Sequence, residues 1–163
     1  MENSQEARRY HERPVPLGMN KFAGLYDIRD AKESDKNFIF ASFLRGLYYG
    51  DSWFSLIPKN IFMDNYKKVI EILFDSPKAV IKVACLKEDP DVILGYSILS
   101  ADYTTIHWVY VKNSKLADGT SWRRQGIARS LLPQYPTSVT HLTKLGKELL
   151  PKFENTVFNP FKL

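Results

Sequence analysis

Cysteine is all but missing from this 163-residue chain, where Cys85 stands alone. That excludes an intramolecular disulfide and a cysteine-built zinc cluster. Histidine is nearly as scarce, at positions 11, 107 and 141, and the spacing is not that of metal ligands, so no metal site is expected. Long apolar runs are lacking too. Ala79–Leu86 and Val92–Leu99 are the longest, far below the roughly 18 residues of a membrane span, and no membrane partner is expected. The chain contains no Gly-x-x-x-x-Gly-Lys-Ser/Thr, no Gly-x-Ser-x-Gly and no His-Glu-x-x-His, which sets aside the chemistries those motifs serve. Its first ten residues are polar with no apolar stretch behind them; this is not a secretory signal, and a cytoplasmic location is expected.

What is present is the composition of a folded domain: 44% hydrophobic, 13% aromatic and 25% charged residues, enough to build one core without a covalent staple. Acidic residues are unevenly spread. Residues 112–163 hold nine Lys/Arg against three Asp/Glu, whereas residues 1–111 hold fourteen against fifteen. The basic last third suits an anionic ligand, either nucleic acid or a phosphorylated cofactor; a solvated surface serving solubility accounts for it equally well.

Residues 1–22 mix arginine, glutamate and proline without an apolar period and read as a tail or a strap ahead of a single domain at 23–163. A short strand is expected at Leu25–Arg29. A helix capped by Ser34 follows, with Phe38, Phe43, Leu44, Leu47 and Tyr48 on its apolar face and Gly50 at its end. An aromatic loop, Tyr48–Pro58, leads to a second helix whose stripe is Phe62, Tyr66, Val69, Ile70, Leu73 and Phe74. Strands at Lys78–Leu86, Val92–Ser100 and Thr104–Lys112 make an antiparallel meander. A polar loop (Asn113–Trp122), a helix from near Gly126, a strand around Ser138–Leu142, a helix over Lys144–Lys152 and an extended end complete the order.

One motif stands out. The third meander strand runs through a loop into Arg123-Arg-Gln-Gly-Ile-Ala-Arg-Ser-Leu-Leu132, a basic, glycine-containing turn opening an apolar helix. Unpaired N–H groups at such a helix start carry partial positive charge, glycine lets backbone approach a phosphate oxygen, and arginines add charge. Here the sequence resembles the GNAT superfamily of acyl-CoA N-acyltransferases, whose signature Arg/Gln-x-x-Gly-x-Gly/Ala is matched by Arg123, Gly126 and Ala128.

The resemblance spans about residues 24–158 and implies an α/β (α+β) fold with a central, mostly antiparallel mixed sheet flanked by helices. It implies transfer of an acetyl or similar acyl group from acetyl-CoA, or another acyl-CoA, to an amine acceptor. It assigns Arg123, Arg124, Gln125, Gly126, Ile127, Ala128 and Arg129 to the pyrophosphate, and the backbone of Val109 and Val111 to pantetheine. Three departures stand beside it: the long loop after Lys112, which reads as a lid over the acceptor or as a plain turn; the lack of tyrosine in Thr143–Phe153; and the ten residues after Phe153, enough for one strand only.

For the chemistry, His107 is the first candidate base, because its unperturbed pKa of about 6.5 suits proton abstraction at neutral pH. By alternation it should share a face with Thr105, Val109 and Val111. Asp102 and Tyr103 at the preceding turn are further candidates, and His141 is a candidate acid for the leaving thiolate. Cys85 reads as inert core. Tyr48, Tyr49, Trp53 and Phe54 fall where the resemblance puts the acceptor, and can stack on a base, cradle a cation or cap the core. The alternative function is a catalytically inactive interaction module, nucleic-acid binding or of the phage DNA-modifying type. A homodimer is left open.

Overall fold

The computed structural model describes residues 24–163; the expected tail at 1–22 and His11 lie outside them. Strands β1 (Tyr26–Asp30), β2 (Ala79–Leu86), β3 (Ile93–Ser100) and β4 (Thr105–Val111) pair antiparallel in chain order. Two two-residue strands, β5 (Ser138–Val139) and β6 (Val157–Phe158), extend the sheet in parallel, giving the order β1-β2-β3-β4-β5-β6. This is the mixed, mostly antiparallel sheet that the sequence leads one to expect.

Alternation along β2 and β3 sorts their side chains to two faces. Val83, Cys85, Tyr96 and Ile98 meet Ile39, Phe43 and Leu47 of α1 (Lys36–Gly50) and Phe62, Ile70 and Leu73 of α3 (Lys59–Asp75). Ala84 and Leu94 meet Ile127 and Leu131 of the short α4 (Ile127–Leu131), together with Tyr26 and Trp122. Cys85 is buried, its Sγ 3.7 Å from the Asp27 carbonyl, as a core residue would be.

Several local expectations give way to specific chemistry. Ser34 does not cap α1 but lies inside a 3-10 turn, Glu33–Asp35, that leads into it; the Asp35 carboxylate closes this turn by accepting the Lys32 backbone N–H at 2.7 Å, and it also accepts the Arg29 guanidinium at 2.6 and 3.0 Å. Burial opposes its charge, but these donors hold the carboxyl below the usual range. The aromatic loop contains a turn of helix, α2 (Ser52–Ser55), because the Asp51 side chain accepts the Trp53 N–H. The helix after the glycine turn lasts five residues only, since Leu132 precedes Pro133 and turns extended. Strand β5 stops at Val139, short of the expected Leu142. The last helix, α5 (Lys144–Leu149), passes at Leu150 into a tighter turn containing Pro151.

The expected polar loop after Lys112 is a small hairpin. Lys115 and Ser121 bridge, Gly119 takes φ 83° at the turn, and Trp122 is buried beside α4. With Leu25, Leu94, Lys112 and Leu116, Trp122 lines a cleft of about 480 Å³ at this end of the sheet.

Gly95 sets the closeness of β3 and β4: a Cβ there would stand 2.6 Å from the Tyr110 carbonyl oxygen, a backbone atom that cannot step aside. Gly95→Ala is therefore expected to cost about 1–3 kcal/mol, the range for forced overpacking, read as a lower urea midpoint. An unchanged midpoint would mean that the two strands part freely at this position.

Candidate active site

The register between β3 and β4 slips at one residue. Ile98 faces Trp108 and Leu99 faces Ile106, so His107 has no partner in β3 and forms a bulge. The bulge breaks the alternation expected for this strand. Trp108 and Tyr110 turn to α1, where Trp108 stacks on Phe43 with centroids 4.4 Å apart, while Val111 packs on the α4 side. His107 therefore does not share one regular face with Thr105, Val109 and Val111.

On its other edge β4 pairs with β5 only at Thr105 and Ile106, opposite Ser138 and Val139. One further backbone bond, from Thr140 N–H to the Ile106 carbonyl at 3.0 Å, closes this ladder. Beyond it, among the described residues, no strand lies beside Trp108–Val111 on that side. The Lys112 N–H bonds the Leu94 carbonyl in β3. Counting back by alternation, the backbone groups of Val111 and Val109 point away from β3, into the gap. The Val111 carbonyl is met there by Arg123 Nε at 3.0 Å.

Two histidines close the gap at its narrow end. His107 Nδ1 lies 3.1 Å from Thr140 Oγ1, Thr140 Oγ1 lies 2.9 Å from His141 Nδ1, and His141 Nδ1 lies 3.0 Å from the His107 carbonyl. The His141 ring is edge-on to Phe43 and Tyr66, at centroid distances of 5.4 and 5.8 Å. Burial lowers the pKa of both rings, and takes His141 down to about 4 against the opposing pull of its bond to the His107 carbonyl. Both imidazoles are therefore neutral at pH 7. Burial also pushes the Tyr66 hydroxyl up. Among the described residues, the fully buried side-chain N or O atoms without a hydrogen-bond partner are Arg29 Nε and Trp108 Nε1.

At the wide end stands the glycine turn. Arg124 and Gly126 take φ of 64° and 85°, so the chain turns through two left-handed residues before α4. Arg123, Arg124 and Arg129 are exposed. The Ser130 hydroxyl bonds the Gly126 carbonyl at 3.1 Å and the Tyr26 hydroxyl at 2.9 Å, tying α4 to β1. About 13 Å of strand separates His107 from Val111, at 3.3 Å per residue.

The other candidates are dispersed. Asp102 sits in the β3–β4 turn, where one oxygen accepts Ser100 Oγ at 2.6 Å, Thr104 Oγ1 at 2.7 Å and Thr104 N–H at 3.0 Å. The Ser100 hydroxyl first, then Thr104, holds this carboxyl below its usual range despite some burial. Tyr103 occupies the left-handed position of the same turn, φ 60°. Tyr48 is buried with its hydroxyl on the Ile57 carbonyl, and Phe54 packs on Phe62 and Tyr66. Tyr49 and Trp53 are exposed. Two residues that the sequence does not single out for chemistry join the site. Thr140 bridges the histidines; its signal was the alternation of Ser138 and Thr140 opposite Thr105 and His107, a polar face on a strand too short to be exposed. Tyr66, read as core stripe, is the tyrosine brought to His141.

No family model matches the chain, and no curated protein does. Solved structures similar to it include a candidate acetyl transferase from Pyrococcus furiosus, 16% identical over 81% of this chain and 79% of that one, with a TM-score of 0.48. A candidate acetyltransferase from Clostridium difficile 630 is 17% identical over 85% and 82%, with a TM-score of 0.44. One from Salmonella typhimurium, described with its cofactor acetyl-CoA, is 16% identical over 65% and 58%, with a TM-score of 0.38.

The depressed His141 pKa makes stability depend on pH. The unfolded ring protonates near pH 6.5 and the folded ring only near 4, so the unfolded chain binds more protons in between. The associated stability is present above pH 6.5 and lost as pH falls toward 4. Moving from pH 7 to 5 should cost on the order of 2 kcal/mol, seen as a lower urea midpoint. His141→Gln should flatten most of that fall. Equal slopes in the two proteins would show that His141 titrates normally.

Proposed function

We propose that the single domain at residues 23–163 is an acyl-CoA-dependent N-acyltransferase that moves an acetyl or similar acyl group to an amine. One observation carries this reading: the open edge of β4 between the histidine pair and the glycine turn. An extended chain bearing amides, of the kind that pantetheine is, fits such an edge as an added strand. With the Val111 carbonyl occupied by Arg123, the Val109 backbone is the pairing group that remains. The turn Arg123–Arg129 supplies exposed guanidiniums and a glycine at φ 85°, which suits a pyrophosphate at the outer end. Its α4 has barely more than one turn, so arginine charge and turn N–H groups, and not a long helix dipole, bear most of the binding.

Bound acyl-CoA supplies the activated thioester, and the rest of the chemistry falls to this chain. An attacking amine must be neutral and must shed a proton as the new C–N bond forms. His107 and His141 are the neutral imidazoles at the inner end of the edge, and they are the candidates for taking that proton and for donating to the developing charge. Asp102, ionised and committed to its turn, serves structure. Tyr49 of α1 and Trp53 of α2, both exposed, are apolar contacts for the acceptor.

The test is calorimetry with acetyl-CoA. Wild-type protein should bind it, and Gly126→Val, which puts a β-branched residue at positive φ, should weaken binding at least tenfold while the far-ultraviolet circular dichroism persists. Equal affinity in the two proteins would remove the glycine turn from the cofactor site. Duplex DNA is the contrasting probe: binding tighter than about 10⁻⁶ M at physiological salt, beyond ordinary non-specific attraction, together with no acetyl-CoA affinity would favour a nucleic-acid-binding module.

A further inference from the structure

We infer that Thr140 is a positioning residue that sets the two histidines in opposite tautomers, making His141 Nε2 the proton acceptor and His107 Nε2–H a hydrogen-bond donor. The inference rests on the acyltransferase reading for its chemistry, but on hydrogen-bond inventory for its geometry. A backbone carbonyl can only accept. Because His141 Nδ1 stands 3.0 Å from the His107 carbonyl, the proton of the neutral ring sits on Nδ1, and Nε2 carries the lone pair. That same Nδ1–H reaches Thr140 Oγ1 at 2.9 Å, so the threonine oxygen is an acceptor there and its own proton points elsewhere. Two acceptors are within reach of it: His107 Nδ1 at 3.1 Å and the His107 carbonyl at 3.4 Å. The nearer, with the carbonyl already served by His141, is Nδ1. His107 Nδ1 is then the acceptor, and its proton is on Nε2.

The roles that follow reverse those expected from the sequence, in which His107 is the base and His141 the acid. The remaining ring nitrogen of His141, Nε2, carries a lone pair; that of His107 carries the proton. In the transfer, the amine nitrogen attacks the thioester carbon, one of its protons passes to His141 Nε2, and the C–N bond forms. The C–S bond breaks with its electron pair on sulfur. The thiolate takes a proton from solvent, and His141 returns its proton to solvent. His107 Nε2–H, neutral throughout, is placed to donate to developing negative charge. The titratable groups against His141 are His107 from β4 and Tyr66 from α3, and neither brings a charge at neutral pH that would compete for its lone pair.

Long-range proton–nitrogen correlation spectra of ¹⁵N-histidine-labelled protein at pH 7 test the assignment without any substrate. Wild type and Thr140→Ser should show His141 protonated on Nδ1 and His107 on Nε2. Thr140→Val keeps the side-chain shape but removes the hydroxyl; His141 should stay on Nδ1, held by the carbonyl, while His107 loses its single tautomer. Wild-type spectra with His141 on Nε2 or His107 on Nδ1 overturn the inference, as does an unchanged His107 in Thr140→Val. Turnover then tests the roles, using acetyl-CoA with primary amines from spermidine to a short peptide. His141→Gln should lower the rate about 10²–10⁴-fold, the usual worth of a general base, whereas His107→Gln, whose amide N–H can replace Nε2–H, should stay within about tenfold. The opposite ranking overturns the roles. Absence of turnover in the wild type overturns the acyltransferase reading and leaves the tautomers decided by the spectra.

Discussion

A buried carbonyl oxygen must find a donor, and the His107 carbonyl is the one around which this molecule is arranged. That oxygen has no partner in β3, because His107 lies outside the β3 pairing, and the short strand β5 cannot supply a backbone N–H beyond Thr140. A side chain has to fill the place, and His141 does so from two residues beyond the end of the strand. Solving a backbone problem with an imidazole fixes a ring orientation at no further expense. The same ring lies edge-on to Phe43 and Tyr66, one residue from each long helix.

The surroundings hold that arrangement by shape more than by charge. The start of α5 approaches the end of α1 so closely that a Cβ on Gly50 would come within 2.8 Å of the Thr143 methyl. Lys147 and Asp51 span the same junction at 2.8 Å, but the lysine is 61% exposed, and exposed pairs add little stability. Their contribution is to orientation: Asp51 caps α2 with one oxygen while the other faces Lys147. Segments distant in sequence are thus brought against His141 by a glycine, a threonine and one carboxylate. At the opposite edge of the sheet, in β1, Arg29 pairs with Asp35 ahead of α1.

Legibility in the sequence followed the range of the interactions involved. The meander was readable because alternation and turn residues are local, and so were α1 and α3, whose apolar spacing runs over several turns. Ser34 was misleading as a cap, since it falls inside a 3-10 turn that Asp35 closes onto Lys32 while Arg29, six residues back, holds its carboxylate. Proline explained the shortness of α4 and α5 once their ends were seen, though Pro133 and Pro151 were visible throughout. The histidine pair was half legible. Both rings could be named as chemistry-bearing residues, but their contact depends on a one-residue slip in strand register, which no periodicity records. Thr140 left only its alternation with Ser138 as a sign, and Tyr66 left none of its own, because a residue that packs and a residue that borders a site leave one pattern.

The small hairpin between β4 and the glycine turn separates loop length from loop reach. Because Lys115 and Ser121 bridge and Trp122 is anchored in the core, the chain returns to the end of β4 whatever its tip does, and Arg123 meets Val111 from twelve residues away. Closing a longer loop costs only about 0.6 kcal/mol per doubling, and the tip at Ala117–Gly119 is exposed. The hairpin is consequently a tolerant insertion point, at which new recognition elements can be grafted, by evolution or by an engineer, without disturbing the register of the arginines behind it.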